Sequence, residues 1–528
     1  MSTPKQTKDF LKKNFWLFIF VLYLATRLVG LICFGPHNDE VIYTQFAQEI
    51  HKNWSQNWNI SIDGRMFGDY KDPLQYWLTA WSVDWFANPL WGVRLWSLAL
   101  GWLGLYCLLR FTAELKNYKA AIIFAGLWLV SSYYFYFDSL GLAEVYVYGL
   151  SGAALYIFYK LCKATVSWRW LNWGLLTLIL AAGFLVKQSM ITVLPILAVV
   201  PFLLKNDSWS KKINHWAWLL SAWLAAQTLY LLILPGKYQT IKASGLALTA
   251  NTFSVKELLN WPLGAWWANL SFYCQKILLG DYLMLAGLII VLILFGLKPK
   301  IFKKSYWPLC LMWLVSFMPA VLLLRGQTTR HYGMFLFVAM ILVAMAVHDL
   351  ADNFFATKKL KLIFYGFWLV LAVVQFCKNW QPLIRFGATD MSVLEIGDSW
   401  ASPLGINRLI DKLKTLPAGQ LFYDSQWGNP GTAIQVFAKD YPQLKLSPIT
   451  FKAINRLQQR QMELIKNKQP VYLVFDAGNN IDPYWVDLKN FILGDRFFCG
   501  RYQDIIKQYK NDVYKNTALL ICYVGQAD

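Results

Sequence analysis

Long apolar runs separated by short basic segments fill the first three quarters of the chain, and the last quarter changes character. Runs of membrane-spanning length fall at 14–34, 89–109, 120–138, 140–160, 170–186, 189–204, 214–234, 278–297, 305–324, 332–349 and 362–380. About 20 predominantly apolar residues cross a bilayer as a helix, so about eleven transmembrane helices are predicted over residues 1–381. The first run follows MSTPKQTKDFLKKN, exceeds a signal-peptide core, and meets no small-residue cleavage site before Asp39, so it reads as a retained span. Residues 382–528 carry only short apolar runs, QLFYDS, PVYLVFDAG, FFCGRY and TALLICYVG, between polar helical stretches at 403–415 and 452–467. That alternation predicts a small α/β domain. No internal repeat, low-complexity tract, long linker or inverted pair of broken helices is visible.

Composition agrees with residence in a lipid bilayer: of 528 residues, 57% are apolar and 17% aromatic, too many for an ordinary soluble surface. The net charge of +20 would suggest nucleic acid if it lay on a soluble domain. It does not: residues 382–528 hold 17 Lys and Arg against 14 Asp and Glu, which leaves 33 against 16 in the apolar part. No basic stripe with interleaved aromatics stands outside the loops, so nucleic acid is not expected as a partner. The basic residues gather in alternate connections, among them Lys12 and Lys13, Arg110 and Lys116, Lys160 and Lys163, Lys211 and Lys212, Lys303 and Lys304, and Lys358 and Lys359. The positive-inside rule makes that side cytoplasmic, with the N-terminus, and places the C-terminal domain outside the cell membrane. Six of eight cysteines lie in or beside apolar runs and act as small hydrophobes; Cys499 and Cys522 are the two that could form a disulfide.

Carboxylates are scarce before residue 382, and seven of the sixteen there, Asp39, Glu40, Glu49, Asp63, Asp69, Asp72 and Asp84, fall in the first external loop, 35–88. Within it Tyr43, Ala47, Ile50 and Trp54, and then Leu74, Trp77, Leu78, Trp81 and Trp85, recur at helical spacing. Two amphipathic helices along the membrane surface are predicted. Asn38 or Asp39 can cap the first helix while Glu40 favours its dipole, and Asp72-Pro73 suits the start of the second. The same acid pair, desolvated at the exit of the first span, can also supply a general base. Spacing leaves both readings open.

These residues carry a resemblance to a family. Asp39-Glu40 after the first span, KDPLQYW from Lys71 to Trp77, and VRLWSLALG with Arg94 entering the second span resemble the GT-C glycosyltransferases that use polyprenyl-phosphate sugars. The branch most similar is that of the protein O-mannosyltransferases and lipid A aminoarabinose transferases. The segment YFDSLGLAEVYVYGL with Asp138 and the segment LVKQSMITVLP with Lys187 extend the similarity, which covers about residues 14–350. Two segments depart from it, and in the first the acid before the lysine is absent. Family members commonly have Lys-Pro-Pro or Glu-Lys-Pro where this chain has Tyr70-Lys71-Asp72-Pro73, and a helix-end Leu-Thr-Lys-Gly where Gln188 here replaces the glycine.

The resemblance implies an inverting transfer from a polyprenyl-phosphate sugar to a hydroxyl of a protein, lipid or glycan acceptor. It places the base on Asp39, with Glu40 positioning the acceptor or a cation. The leaving phosphate requires fixed cations at an apolar boundary, and Lys71, Arg94, Lys187, Arg325 and Arg330 are the candidates. Asp72, Asp138, Tyr76 and Trp77 are candidate supports of the site. Arg94 and Lys187 could instead snorkel to the interface, and Arg27 with Asp138 could be a structural ion pair. No cofactor is required and no metal site is assigned: Asp-x-Asp is absent, no glycine-rich phosphate fingerprint occurs, and His331 keeps no ligand spacing with a second His or Cys. A divalent cation is the one open addition. The alternative functions are a lipid-linked sugar flippase or small-molecule transporter, which needs mid-membrane charges but not Asp39, and a scaffold whose external domain binds a partner.

Overall fold

The structure, a computed structural model, describes residues 4–60, 72–204, 207–234, 254–278, 281–297, 306–323, 329–355, 357–386, 406–424, 431–449, 470–476, 501–507 and 518–524. The main helices are α1 (Pro4–Cys33), α2 (Asn38–Lys52), α3 (Leu74–Ser82), α4 (Leu90–Leu115), α5 (Tyr118–Val130), α6 (Ala143–Lys163), α7 (Val166–Val186), α8 (Val193–Leu203), α9 (Trp209–Ile233), α10 (Tyr282–Leu297), α11 (Trp307–Leu323), α12 (Gly333–Phe354), α13 (Lys358–Phe386), α14 (Ile406–Thr415) and α15 (Gly431–Val436). The chain divides into two compact units. One comprises Met1–Ile32, Trp58–Trp77 and Arg94–Gln381, and the other Cys33–Asn57, Leu78–Val93 and Pro382–Asp528.

The first unit is a helical bundle. Among the described residues seven helices are long and apolar enough to cross a membrane: α1, α4, α6, α7, α9, α12 and α13. The other four apolar segments are also helical but shorter: α5, the stretch Gln188–Leu203, α10 and α11. The segment 120–138 is not one span, because α5 stops at Val130, Ser131 is extended (φ −61°, ψ 129°), and a short helix Ser132–Phe137 starts after it. α12 is the central element, packed on α5, α10 and α11. Its apolar stretch is 94% buried, against 11% for α13, whose Leu362, Leu369 and Val370 are exposed as a lipid-facing surface requires. Small residues let α4 and α6 cross closely. A Cβ added at Gly104 would stand 2.8 Å from the Gly149 Cα, and one at Gly149 would strike the Leu100 carbonyl.

An internal ion pair lies in this unit. Arg27 Nε and Asp138 Oδ2 are 3.2 Å apart, and both side chains are fully buried. Trp128 Nε1 also donates to Asp138 Oδ2 at 3.2 Å and the Tyr148 hydroxyl donates to Oδ1, while Arg27 donates to the carbonyls of Leu129 (2.7 Å) and Trp128 (3.1 Å). A buried pair persists when its remaining donors and acceptors are satisfied in this way.

The second unit contains a five-stranded sheet: β1 (Gly419–Asp424), β2 (Leu444–Ile449), β3 (Val471–Asp476), β4 (Arg501–Lys507) and β5 (Ala518–Val524), in spatial order β2-β1-β3-β5-β4. β1 is parallel to β2 and β3, and β5 is antiparallel to β3 and β4. Three of the predicted strand runs become β1, β3 and β5, and 403–415 becomes α14. Of the run FFCGRY, Arg501 and Tyr502 belong to β4 and the first four residues lie outside the described residues, while β2, LKLSPI, has too few apolar residues to be read as a strand. Cys499 and residues 452–467 lie outside the described residues, and so does the Cys499–Cys522 pairing. On α14, Ile406, Leu409, Ile410 and Leu413 make one apolar stripe, which packs with Leu421, Tyr423, Ile434 and Tyr441. Val41 of α2 belongs to the same core.

Candidate active site

The acid pair stands at the start of α2 in the second unit. The cap is neither Asn38 nor Asp39 but His37, whose Nδ1 accepts from the Asp39 N–H at 3.2 Å. Glu40 Oε2 accepts from the His37 N–H at 3.0 Å and completes a capping box. An accepting Nδ1 puts the ring proton of a neutral imidazole on Nε2, a tautomer assigned from the hydrogen bonds. Glu40 is fully buried, and its carboxylate holds the helix start; Asp39 beside it is 8% exposed, and the capping bonds do not run through its carboxylate. The apolar face of α2, with Val41, Tyr43, Phe46, Ala47 and Ile50, is buried, and the helix packs on α15. Gln48 Nε2 donates to the Val436 carbonyl at 3.3 Å, and Gln45 bonds Gln435. The apolar face that suggested a membrane-surface helix is thus used against the C-terminal domain. Trp54 opens a separate short helix, and Trp85 lies beyond the end of α3.

The first unit holds the cations. Arg94, near the start of α4, is 1% exposed, and its Nη1 donates to the Leu31 carbonyl at 2.8 Å, so it does not snorkel. Lys187 closes α7 in an extended conformation (φ −163°, ψ 135°), and its Nζ meets Glu144 Oε1, in the first turn of α6, at 2.7 Å. Gln188, the next residue, donates to the Tyr230 hydroxyl at 2.7 Å and lies 3.4 Å from Asp72 Oδ2. The Tyr230 hydroxyl in turn donates to Asp72 Oδ1 at 2.8 Å. Arg330 sits in the 3-10 turn Thr329–Tyr332, where its carbonyl accepts from the Tyr133 hydroxyl at 2.9 Å. Tyr76 is buried, and Trp77 donates through Nε1 to the Trp58 carbonyl at 2.7 Å. Gln75 donates to the Gly141 carbonyl at 2.8 Å and so ties α3 to the loop before α6.

The structure therefore brings Lys187 and Asp72 into one connected set with Glu144, Gln188 and Tyr230, and gives Asp138 a separate role inside the bundle. Lys71 and Arg325 lie outside the described residues, as does the side chain of His331. Sequence reasoning missed His37, Glu144 and Tyr230 as participants. Glu144 carried a signal, a lone acid in an apolar segment; Tyr230, 158 residues from Asp72, carried none. Among the described residues no group of three or more His, Cys, Asp or Glu could hold a metal ion.

Residues 71–235 match the family model described as dolichyl-phosphate-mannose-protein mannosyltransferase. Over 211 residues, 38% of this chain, the sequence is 29% identical to an undecaprenyl phosphate-alpha-4-amino-4-deoxy-L-arabinose arabinosyl transferase of Shewanella sediminis. That match spans 36% of the relative's length. The fold is similar to that of ArnT from Cupriavidus metallidurans bound to undecaprenyl phosphate, with a TM-score of 0.55, 14% identity, and coverage of 96% of this chain and 98% of the other. The apo form of the same protein gives 0.51 and 13% identity, with 97% and 98% covered. The chain shares the fold of the two ArnT structures, a multi-pass membrane bundle with a small C-terminal sheet, and the family-model match agrees with the resemblance read from its motifs.

Proposed function

We propose that this chain is an inverting membrane glycosyltransferase that moves a sugar from a polyprenyl-phosphate donor to a hydroxyl of a protein, lipid or glycan acceptor. The observation that carries the reading is the family-model match over residues 71–235, which takes in Asp72, Arg94, Glu144 and Lys187. In the proposed reaction the acceptor oxygen attacks the anomeric carbon from the face opposite the phosphate. Asp39 takes the hydroxyl proton, the bond from the anomeric carbon to the phosphate oxygen breaks, and the electron pair leaves with the lipid phosphate. One base is sufficient, because a single inverting displacement needs no carboxylate nucleophile. Lys71, Arg94, Lys187 and Arg330 are assigned to the phosphate, where fixed cations at an apolar boundary act more strongly than in water. Glu40 holds α2 through the His37 N–H, a role that fits positioning better than proton transfer. The proposed displacement needs no cofactor.

The reading puts the site in loop 35–88 outside the cytoplasmic membrane, with the N-terminus inside and residues 382–528 outside. Its test is mass spectrometry of the glycolipid, glycan and protein fractions from cells with and without the gene. Loss of the gene should remove a sugar from one acceptor fraction and leave the lipid-linked sugar in excess. Identical fractions would refute the proposal.

A further inference from the structure

The two segments in which this chain departs from the family pattern meet through Asp72 and Gln188. Asp72 follows the lysine where proline is common, Gln188 replaces the glycine after Lys187, and both bond to the hydroxyl of Tyr230 or to one another. Asp72 is 6% exposed and Tyr230 2%. The Tyr230 hydroxyl donates to Asp72 and accepts from Gln188, so donor and acceptor are both engaged at 2.8 and 2.7 Å. Tyr230 belongs to α9, Gln188 to the turn after α7, and Asp72 to the segment leading into α3, so one hydroxyl joins three elements far apart in sequence.

Lys187 is fixed by bonds of its own, in an extended backbone conformation at the end of α7. Its N–H donates to the Gly183 carbonyl at 3.0 Å, its own carbonyl accepts from the Met190 N–H at 3.0 Å, and its amine is held by Glu144. The Glu144 side chain is 8% exposed and that of Lys187 35%. An ammonium has three donors, and one of them is directed at Glu144. The dipeptide Lys187-Gln188 is thus held by Glu144 at the lysine and by the Tyr230–Asp72 pair at the glutamine.

We propose that Asp72, Tyr230 and Gln188 form a latch of positioning residues that sets Lys187 for the phosphate of a polyprenyl-phosphate lipid. The proposal rests on the functional reading above. The latch does not touch the lipid; it acts through the backbone of residues 187–188, and it takes the place of the glycine-ended turn of the family pattern.

The test uses the full-length protein in lipid nanodiscs with undecaprenyl phosphate itself as the probe. Binding is titrated for the wild type, Tyr230→Phe, Gln188→Ala and Lys187→Met, and for both latch changes in the Lys187→Met background, with thermal melting of each without lipid. Each latch change should weaken binding about three- to tenfold, the size of one or two lost hydrogen bonds. In the Lys187→Met background the same change should add less than about twofold, since the latch has no lysine left to set. A merely structural role would move the melting midpoint and give losses independent of Lys187. Unchanged binding in Tyr230→Phe and Gln188→Ala, or additive losses in the double variants, would overturn the latch. Failure of the wild type to bind undecaprenyl phosphate would overturn the functional reading on which the latch rests.

Discussion

Replacing Asp39 by Asn separates the chemistry of α2 from its stability, because the structure moves the cap from that residue to its neighbours. The capping bonds are the His37 Nδ1 to Asp39 N–H contact at 3.2 Å and the Glu40 Oε2 to His37 N–H contact at 3.0 Å, and neither uses the Asp39 carboxylate. Asp39→Asn therefore leaves both capping bonds in place and weakens the attraction of a first-turn charge to the helix dipole, about 0.3–1 kcal/mol. His37→Ala should cost about 1 kcal/mol of stability as a lost cap. Glu40→Ala should cost more, about 1–3 kcal/mol, because it takes the carboxylate from a buried backbone N–H. Transfer should show the opposite order: Asp39→Asn loses roughly 10² to 10⁴ in rate as a missing general base, and His37→Ala loses far less. The assay is single-turnover release of polyprenyl phosphate from a synthetic donor, with folded protein quantified by size exclusion in detergent. Near-wild-type turnover in Asp39→Asn would refute the base assignment. Equal losses in Asp39→Asn and His37→Ala would show that the placement of α2, and not the carboxylate, is what transfer needs.

Arg94→Met keeps most of the buried volume but removes the donor 2.8 Å from the Leu31 carbonyl; it should cost about 1–3 kcal/mol of stability. It should also cost about 2–4 kcal/mol in kcat/KM for the lipid donor, and retained kcat/KM with a normal KM would remove Arg94 from the phosphate site. Gly149→Ala drives a Cβ into the Leu100 carbonyl at the α4–α6 crossing and should destabilise by about 1–3 kcal/mol, whereas Gly126→Ala meets nothing within 4 Å and should be neutral or slightly stabilising; equal melting midpoints would contradict the close crossing. Single cysteines at Ser55 and Lys439 should react with an impermeant reagent added to intact cells, and those at Ser208 and Lys358 should not; the reverse pattern would overturn the orientation.

Elements set by local pattern were legible, and those set by distant partners were not. Among the described residues each apolar segment predicted to span contains a helix, the arrangement in which a continuous apolar run satisfies its own backbone groups in lipid. Span length was less legible: the run 120–138 is interrupted at Ser131-Ser132, a polar pair that the average hydropathy of its neighbours concealed. In the C-terminal sheet, β1, β3 and β5 carry dense apolar runs and were visible, whereas β2, with Lys445, Ser447 and Pro448, was not. The apolar face of α2 was legible as a face, but its covering was not, because α14 and α15 lie more than 350 residues away in sequence. Arg94 and Lys187 stood out as charges in apolar surroundings. Their partners, the Leu31 carbonyl and Glu144, follow from helix packing across 63 and 43 residues, which no linear spacing encodes.

The central claim, that this chain consumes a polyprenyl-phosphate sugar, is tested most directly by following that lipid. The purified full-length protein in nanodiscs is incubated with lipid-linked sugars and acceptor fractions from its own cells, and undecaprenyl phosphate release is measured by mass spectrometry. The account predicts that one lipid-linked sugar disappears as undecaprenyl phosphate and a sugar-bearing acceptor appear in equal amounts, and that Asp39→Asn stops both. Lipid-linked sugars left intact by folded wild-type protein with every acceptor fraction, or consumed equally well by Asp39→Asn, would contradict it.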